Sequence, residues 1–135
     1  MICRTSKGPI AMKIFTLAFL LCFAAVAHAE GVEWYGTEYA RCRDQPTSGI
    51  VSCVADLTKT WDNRLNRAYK TLMAQQDASR KTALRDVQRL WIKYRDANCG
   101  LYAAGPGSIS QVAAAECLRF MTKQRALELE QQLRP

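Results

Sequence analysis

The clearest pattern in the chain is a run of apolar residues that recur three and four positions apart between residues 50 and 72. At 100° per residue they fall within one narrow stripe, which predicts a strongly amphipathic helix from about Ser48 to about Gln76. The stripe consists of Ile50, Val54, Leu57, Trp61, Leu65, Ala68 and Leu72. The hydroxyls of Thr47 and Ser48 are expected to cap the start of this helix.

A second apolar stripe predicts a second helix. Asp77 and Ser79 interrupt the first pattern and are expected to cap the start of the second helix. The helix should end before residues 103–108, where two glycines and a proline break the pattern. Its inward face is predicted to consist of Leu84, Val87, Trp91, Tyr94 and Leu101, with Leu90 at the edge.

A third helix is predicted after this break, with Ser108 or Ser110 as its cap. Gln124 and Gln131 interrupt its stripe near the end. Its inward residues are predicted to be Ile109, Val112, Ala113, Cys117, Phe120 and Leu127. Since no strand pattern occurs and the three stripes cannot face water, they must pack against one another. The sequence therefore predicts an all-α fold, a small up-down-up helical bundle with three main helices.

The first 29 residues have the pattern of a secretory signal peptide. A lysine precedes an apolar run at residues 14–27, and the segment ends in an A-x-A cleavage pattern. The run is too short to span a membrane, which takes about 20 apolar residues. We therefore expect cleavage after Ala29, no stable membrane anchor afterwards, and a periplasmic or secreted protein. Met12 is as good a start as Met1, which would make residues 1–11 an upstream extension.

Six cysteines in the full chain become four after the expected cleavage. An even number in an exported chain of this size indicates two disulfides, for which three pairings are possible. Closure of short loops favours Cys42–Cys53 and Cys99–Cys117. The first bridge would pin an irregular N-terminal arm, residues 30–48, which has no helical period. The second would join the last two helices beside the turn that connects them.

The residue types that the expected mature chain lacks exclude several kinds of site. The single histidine, His28, would leave with the leader, so no Ser-His-Asp or Cys-His arrangement can be built. The cysteine spacings are not those of a zinc site, and phosphate-binding and dinucleotide-binding motifs are absent. We expect a non-enzyme with no catalytic residue, metal or cofactor. Loss of Arg4, Lys7 and Lys13 lowers the net charge from +7 to +4, which gives no reason to expect nucleic-acid binding.

Four basic residues follow one another at i, i+4 spacing on the second predicted helix: Lys81, Arg85, Arg89 and Lys93. By helical angle this basic stripe lies nearly opposite the apolar face. Like charges at this spacing repel by a few tenths of a kcal/mol per pair, so the stripe is a candidate surface for an anionic ligand. The alternative, which we favour, is a solvated back face of the helix whose like-charge repulsion is reduced by nearby acids such as Asp86 and Asp96.

The aromatic residues of the helices are interpreted as core rather than as ligand platforms, because aromatic side chains dominate small cores. They are Trp61, Tyr69, Trp91, Tyr94 and Phe120. Trp34, Tyr35 and Tyr39 lie in the arm, where they either cover the open edge of the bundle or form part of a contact surface. The covering role is the favoured interpretation.

One set of residues, here called the family motif, resembles a known family. The motif consists of Leu65-Asn66, Tyr69, Leu72, Leu84-Arg85, Gln88-Arg89, Trp91-Ile92, Tyr94-Arg95-Asp96, Cys99, Cys117-Leu118, Thr122, Arg125-Ala126 and Glu128-Leu129. It resembles the lysozyme inhibitor LprI-type N-terminal domain family of exported bacterial proteins. The resemblance covers about residues 42–133, is most specific over 84–99, and includes all four cysteines of the expected mature chain.

The resemblance implies an inhibitor of lysozyme, although no inhibitory loop can be matched residue by residue. Local acids such as Glu30, Glu33 and Glu38 are a candidate negative patch for a basic lysozyme. Four polar residues of the motif lie at or near helix-packing positions, where buried polar groups require partners. A hydrogen-bonded network between helices is therefore expected, with a ligand site as the alternative, for Asn66, Gln88, Arg95 and Asp96.

The leading hypothesis is an exported, non-enzymatic binding or inhibitor module of the bacterial envelope. Its expected partner is a lysozyme-like glycoside hydrolase or another envelope protein. One alternative is an envelope protein that binds an anionic glycan or lipid surface through the basic stripe. Another is a structural or stress-related protein without a soluble ligand. The sequence predicts neither the partner's identity nor an oligomeric state.

Overall fold

The computed structural model describes residues 35–134, and within that range the chain is all-α, as predicted. The expected leader, its cleavage position and the choice between Met1 and Met12 lie outside the described residues. Residues 35–134 form four helices, in chain order α1 (Thr37–Ala40), α2 (Thr47–Gln75), α3 (Ala78–Ala103) and α4 (Ile109–Gln131). Among the described helices, none combines the length and the hydrophobicity that a membrane span requires.

Helix α2 follows the predicted stripe closely. Five of its apolar residues are buried, while Ile50 and Leu57 at its first half are half-buried. The buried ones are Val54, Trp61, Leu65, Ala68 and Leu72. Full burial of one large aliphatic side chain contributes about 1.5–3 kcal/mol, so this face supplies much of the core. The predicted hydroxyl cap is absent, because the helix begins one residue earlier, with Pro46 as the N-cap and no side-chain capping bond.

Asp77 caps the start of helix α3, as predicted, since its carboxylate accepts a hydrogen bond from the backbone N–H of Arg80 at 2.9 Å. Its inward face differs from the prediction. Leu101 is 74% exposed, and Val87 and Tyr94 are also exposed. The residues that face the bundle are Leu84, Gln88, Trp91 and Cys99. The observed face is therefore rotated by roughly 70° from the predicted one, at 100° per residue.

Helix α4 starts after a tight turn in which Gly107 has a φ of 72°, a conformation that favours glycine. Ser108 occupies the N-cap position without a side-chain capping bond, and the Ser110 hydroxyl donates to the Gly107 carbonyl at 2.6 Å. The predicted inward residues Ile109 and Leu127 are exposed. Polar side chains take their place in the interior: Glu116, Arg119, Thr122 and Arg125. The apolar stripe was noisy because polar residues take inward positions there. Arg119 pairs with Glu116 and Arg125 bonds to Gln88, whereas the Thr122 hydroxyl has no partner within the described residues.

Helix α4 is the central element, because it packs against both α2 and α3. The main core lies between α2 and α4, where Ala126 and Leu129 are fully buried against the α2 stripe. Leu84 and Trp91 of α3 pack against this core from the side and stay partly exposed. The predicted three-helix bundle is present, with α3 held more loosely than the other two helices.

Both predicted disulfides are present. Cys42–Cys53 joins the arm to α2 across 11 positions, and Cys99–Cys117 joins α3 to α4 across 18 positions. Loop-closure entropy gives each bridge about 3 kcal/mol. The described part of the arm is less irregular than predicted, since α1 forms one helical turn within it.

Candidate functional site

The first group of charges lies between the arm, α2 and α4, where Glu116 and Arg119 are buried and Glu38 and Lys123 are half-buried, and we call it the Glu38 cluster. It consists of Glu38, Trp61, Glu116, Arg119 and Lys123. Arg119 is 1% exposed and forms a bidentate salt bridge with the fully buried Glu116, to which it donates two hydrogen bonds of 2.8 and 2.5 Å. Its remaining terminal nitrogen donates to Glu38 at 2.5 Å. Burial lowers the pKa of Arg119, but the bonds to Glu116 and Glu38 outweigh it and raise the pKa overall.

Glu38 reaches this cluster from α1, although it was predicted as part of an exposed negative patch. Its carboxylate accepts bonds from the Trp61 indole N–H at 3.1 Å and from the Lys123 ammonium at 3.2 Å. Burial alone would raise the pKa of Glu38. The bonds from Lys123 and Trp61 and the charge of Arg119 outweigh this effect, so the pKa is lowered overall. Glu30 and Glu33 lie outside the described residues. Glu38 is a counter-charge of the core and not a free surface acid.

A second ion pair joins α2 to α4 beside the cluster. Arg64 donates to both oxygens of Glu130, at 2.9 and 2.6 Å, and its guanidinium lies 4.1 Å from the centre of the Trp61 ring. The bond from Arg64 lowers the pKa of Glu130 despite partial burial. All the charges in this half of the interior are partnered, which is typical of a structural role.

A different surface lies between α2 and α3, which we call the α2–α3 groove. It has a volume of about 310 Å³, within the range of small-molecule sites. Its residues combine three guanidinium groups with two aromatic rings and several polar side chains. They are Asp62, Leu65, Asn66 and Tyr69 on α2, and Arg85, Gln88, Arg89, Trp91, Ile92 and Arg95 on α3.

The arginines of the groove have few partners inside the molecule. Arg85 is exposed and makes no hydrogen bond or ion pair with the described part of the chain. Arg89 makes one loose, exposed contact with Asp86, at 3.7 Å. Arg95 is paired with its neighbour Asp96 at 2.8 Å, and its guanidinium lies 5.0 Å from the centre of the Trp91 ring. Two of the three cations are therefore available to a ligand.

Gln88 is the buried polar group of the groove. It is 7% exposed, and its carbonyl oxygen accepts a bond from Arg125 of α4 at 3.0 Å. Arg125 is held in turn by Glu128 at 2.7 Å. The Gln88 side-chain NH2 group donates to no partner within residues 35–134. Because the oxygen is fixed on the α4 side, two unused N–H donors remain on a side chain that lines the groove.

The predicted network of four polar residues is not formed, since only Gln88 bonds across helices. Asn66 donates to Asp62 at 2.8 Å within α2, and Arg95 bonds to the adjacent Asp96. Asn66 and Asp96 are exposed, so they need no partner on another helix. The structure instead brings Asn66, Gln88 and Arg95 together as walls of one groove.

The basic stripe is divided by the same geometry. Arg85 and Arg89 line the α2–α3 groove, whereas Lys81 and Lys93 do not. The rotation of α3 brings the two arginines to the flank beside α2 and leaves Lys93 on the back of the helix, while Lys81 lies one turn before Arg85. The stripe is therefore not one uniform surface.

A larger depression, of about 530 Å³, lies beside the Cys42–Cys53 bridge. Its lining holds one cation, Arg41, and one acid, Asp56, and its buried lining residue is the disulfide-bonded Cys42. Nothing in its chemistry selects a ligand class. Within residues 35–134 no group of three or more histidines, cysteines or acids is arranged to hold a metal ion.

Comparison with known proteins identifies the family. A family model described as Lysozyme inhibitor LprI matches residues 27–129. This chain belongs to the lysozyme inhibitor LprI family. A relative from Rhizobium meliloti (strain 1021), described as an uncharacterized protein, is 30% identical over 131 residues, covering 85% of this chain and 90% of the relative. No solved structure matches the chain.

Membership in the LprI family implies a lysozyme inhibitor role, which is consistent with a non-enzyme. It also connects the groove with the family motif. Every residue that lines the groove, except Asp62, belongs to the family motif that carried the resemblance. Trp91 and Tyr69 pack against the core, as predicted, and they also line the groove, which was not predicted. Their i, i+3 and i, i+4 relation to Gln88, Asn66 and Arg95 was the available signal.

Proposed function

We propose that this chain is an exported, non-enzymatic protein that inhibits a lysozyme-type glycoside hydrolase through protein–protein contact. The observation that carries the proposal is the match to the LprI family over residues 27–129, which covers nearly all of the expected mature chain. The partner is a hydrolase of the cell wall, and the site of action is the periplasm or the space outside the cell.

The scaffold supports an inhibitor role, because inhibitors that bind tightly change shape little on binding. The Cys42–Cys53 bridge ties the arm to α2, the Arg119–Glu38 bond ties the arm to α4, and the Cys99–Cys117 bridge ties α3 to α4. Disulfides persist in oxidising compartments, which supports export together with the leader predicted for residues 1–29. A rigid, oxidised helical scaffold suits a protein that presents a fixed surface to an enzyme.

The test is a titration of lysozyme with the protein that begins at Glu30. Lysozyme activity on a suspension of bacterial cell walls should fall in a saturable manner as the protein is added. Protein that has been reduced and alkylated is the matched control, since it has the same composition but lacks both bridges, and it should inhibit much less. Unchanged lysozyme activity at a large molar excess of oxidised protein would discard the proposal.

A second candidate function, binding of an anionic glycan, is favoured by one observation. Arg85 and Arg89 lie on a concave surface beside aromatic side chains and have little to neutralise them within the described chain. Ionic strength separates the two functions, because exposed charges are screened within about 10 Å at 0.1 M salt. Binding through these arginines should weaken steeply with salt, whereas a packed protein interface should hold.

A further inference from the structure

We propose that the α2–α3 groove is a binding site for an acidic saccharide, that is, a sugar ring that carries a carboxylate. The proposal specifies the ligand chemistry and the site for the second candidate function. It rests on the groove and not on inhibition of a hydrolase. The two can therefore fail separately.

The unused groups of the groove are mostly hydrogen-bond donors. They are the guanidinium of Arg85, most of the guanidinium of Arg89 and the side-chain NH2 of Gln88. Asp62, the one acid of the lining, accepts a bond from Asn66 at 2.8 Å and is outnumbered by the three arginines. A ligand that fits must therefore be rich in acceptors and negatively charged. The planar fork of arginine matches a carboxylate in particular, because it can form two parallel bonds to it.

The groove also requires an apolar part of the ligand. Trp91, Tyr69 and Ile92 contribute carbon surface, and Ile92 is 40% exposed although it lines the groove. A free inorganic anion would leave this apolar surface exposed to water, because it has no apolar part that could cover it. A pyranose ring has one face of C–H groups that can cover an aromatic wall, while its hydroxyls can reach Asn66 and Asp62 on α2. The combination of an acid, hydroxyls and a C–H face is that of an acidic sugar.

The position of Gln88 favours a small ligand over a protein surface. Gln88 is 7% exposed and lines the groove, so a group that accepts from its NH2 there has to be small enough to enter the groove. The bond from Arg125 fixes the orientation of this amide before any ligand arrives. A pre-oriented donor loses little conformational freedom on binding, which increases affinity.

The direct test uses a pair of sugars that differ at one substituent. N-Acetylmuramic acid carries a carboxylate, and N-acetylglucosamine has the same ring without it. In ¹H–¹⁵N spectra of the oxidised protein, N-acetylmuramic acid should shift the side-chain amide signals of Gln88 and Asn66 and the indole signal of Trp91 in a saturable way. N-Acetylglucosamine should bind at least about tenfold more weakly, which corresponds to the loss of about 1.4 kcal/mol.

Two double variants with equal charge change locate the binding. R85E/R89E alters the groove, and K81E/K93E alters the same helix and the same basic stripe outside the groove. The first should reduce affinity for N-acetylmuramic acid at least about tenfold, while the second should keep it within about twofold. Arg85, Arg89 and Lys93 are exposed and Lys81 is half-buried, and the amide spectra report directly whether each variant remains folded.

Several results would overturn the proposal. They are the absence of shifts with N-acetylmuramic acid, equal affinity for the two sugars, or equal losses in the two double variants. If neither sugar binds but R85E/R89E abolishes inhibition of lysozyme, the groove is a protein-docking surface and the saccharide proposal is wrong. If the sugar binds and lysozyme is not inhibited, the proposed function fails and the saccharide site stands.

Discussion

The Glu38 cluster and the α2–α3 groove are built from similar residues but differ in how their charges are balanced. Each has a tryptophan with a guanidinium over its ring: Arg64 over Trp61 at 4.1 Å, and Arg95 over Trp91 at 5.0 Å. In the cluster, Arg119 has two carboxylates within hydrogen-bonding distance and is almost fully buried. In the groove, Arg85 has no such partner within the described residues and is exposed. The same residue types stabilise the fold in one place and are available for recognition in the other.

The contrast follows from the cost of burying charge. A buried ion becomes tolerable only when its partners are in place, so the cluster needs α1, α2 and α4 together. An exposed arginine has no such requirement, because water solvates it. The comparison predicts that substitutions in the cluster act on stability, whereas substitutions in the groove act on binding.

The largest effect is expected from Glu116→Gln. The variant leaves Arg119 buried with half of its carboxylate partners, and breaking a buried ion pair costs about 3–5 kcal/mol. Urea denaturation should show this as a lower free energy of unfolding. Asp62→Asn makes the same chemical change at the groove and should cost less than about 0.5 kcal/mol. Equal losses in the two variants would remove the distinction between the regions.

A smaller effect on the free energy of unfolding is expected when the pH is lowered. The pKa values of Glu38 and Glu130 are lowered in the folded protein from an ordinary value of 4.5, so the unfolded chain takes up protons first as the pH falls. Their contribution to stability is present above pH 4.5 and is lost as the pH falls through the folded pKa values. Each group can contribute a slope of at most about 1.4 kcal/mol per pH unit.

This pH dependence can be measured as the free energy of unfolding between neutral and strongly acidic pH. Glu38→Gln removes one of the two carboxyls and keeps the shape of the side chain. The slope below pH 4.5 should therefore be shallower in the variant than in the unaltered protein. An identical slope in both would mean that Glu38 does not couple protonation to folding.

The smallest effect is expected from Arg85→Ala and Arg89→Ala in the absence of ligand. Removal of either cation loses little packing and relieves like-charge repulsion of a few tenths of a kcal/mol. The free energy of unfolding should stay within about 0.5 kcal/mol of that of the unaltered protein. Thermal unfolding followed by circular dichroism is sufficient to check this. A loss above about 1 kcal/mol would show that these arginines belong to the scaffold.

The fold could largely be predicted from sequence where burial and hydrophobicity agree. The α2 stripe is the clear case, since Val54, Trp61 and Leu65 are both apolar and buried. Helix α4 is the opposite case. Its interior contains Glu116 and Arg119, and a pattern based on hydrophobicity places such residues outside. Only the three-dimensional pairing of these charges makes their burial possible, and that pairing joins residues three positions apart on α4 to Glu38 on α1.

The candidate site could be predicted only in part, because it depends on the rotation of one helix. The apolar residues of α3 suggested a face through Leu101, which placed Arg85 on the back of the helix. Packing instead follows Gln88 and Cys99, since the Cys99–Cys117 bridge and the Gln88–Arg125 bond fix α3 against α4. The sequence could indicate the residues of the groove through the family motif, but not that they form one surface.

The bridge between Cys42 and Cys53 has a consequence for the electrostatics of the interior. It fastens the segment that carries Glu38 only four residues before Cys42, and Glu38 neutralises Arg119 from that segment. A thiol reductant would free this segment from its covalent anchor and make the withdrawal of a negative charge from the centre of the molecule easier. The oxidation state of one sulfur pair is thereby coupled to the solvation of a buried guanidinium.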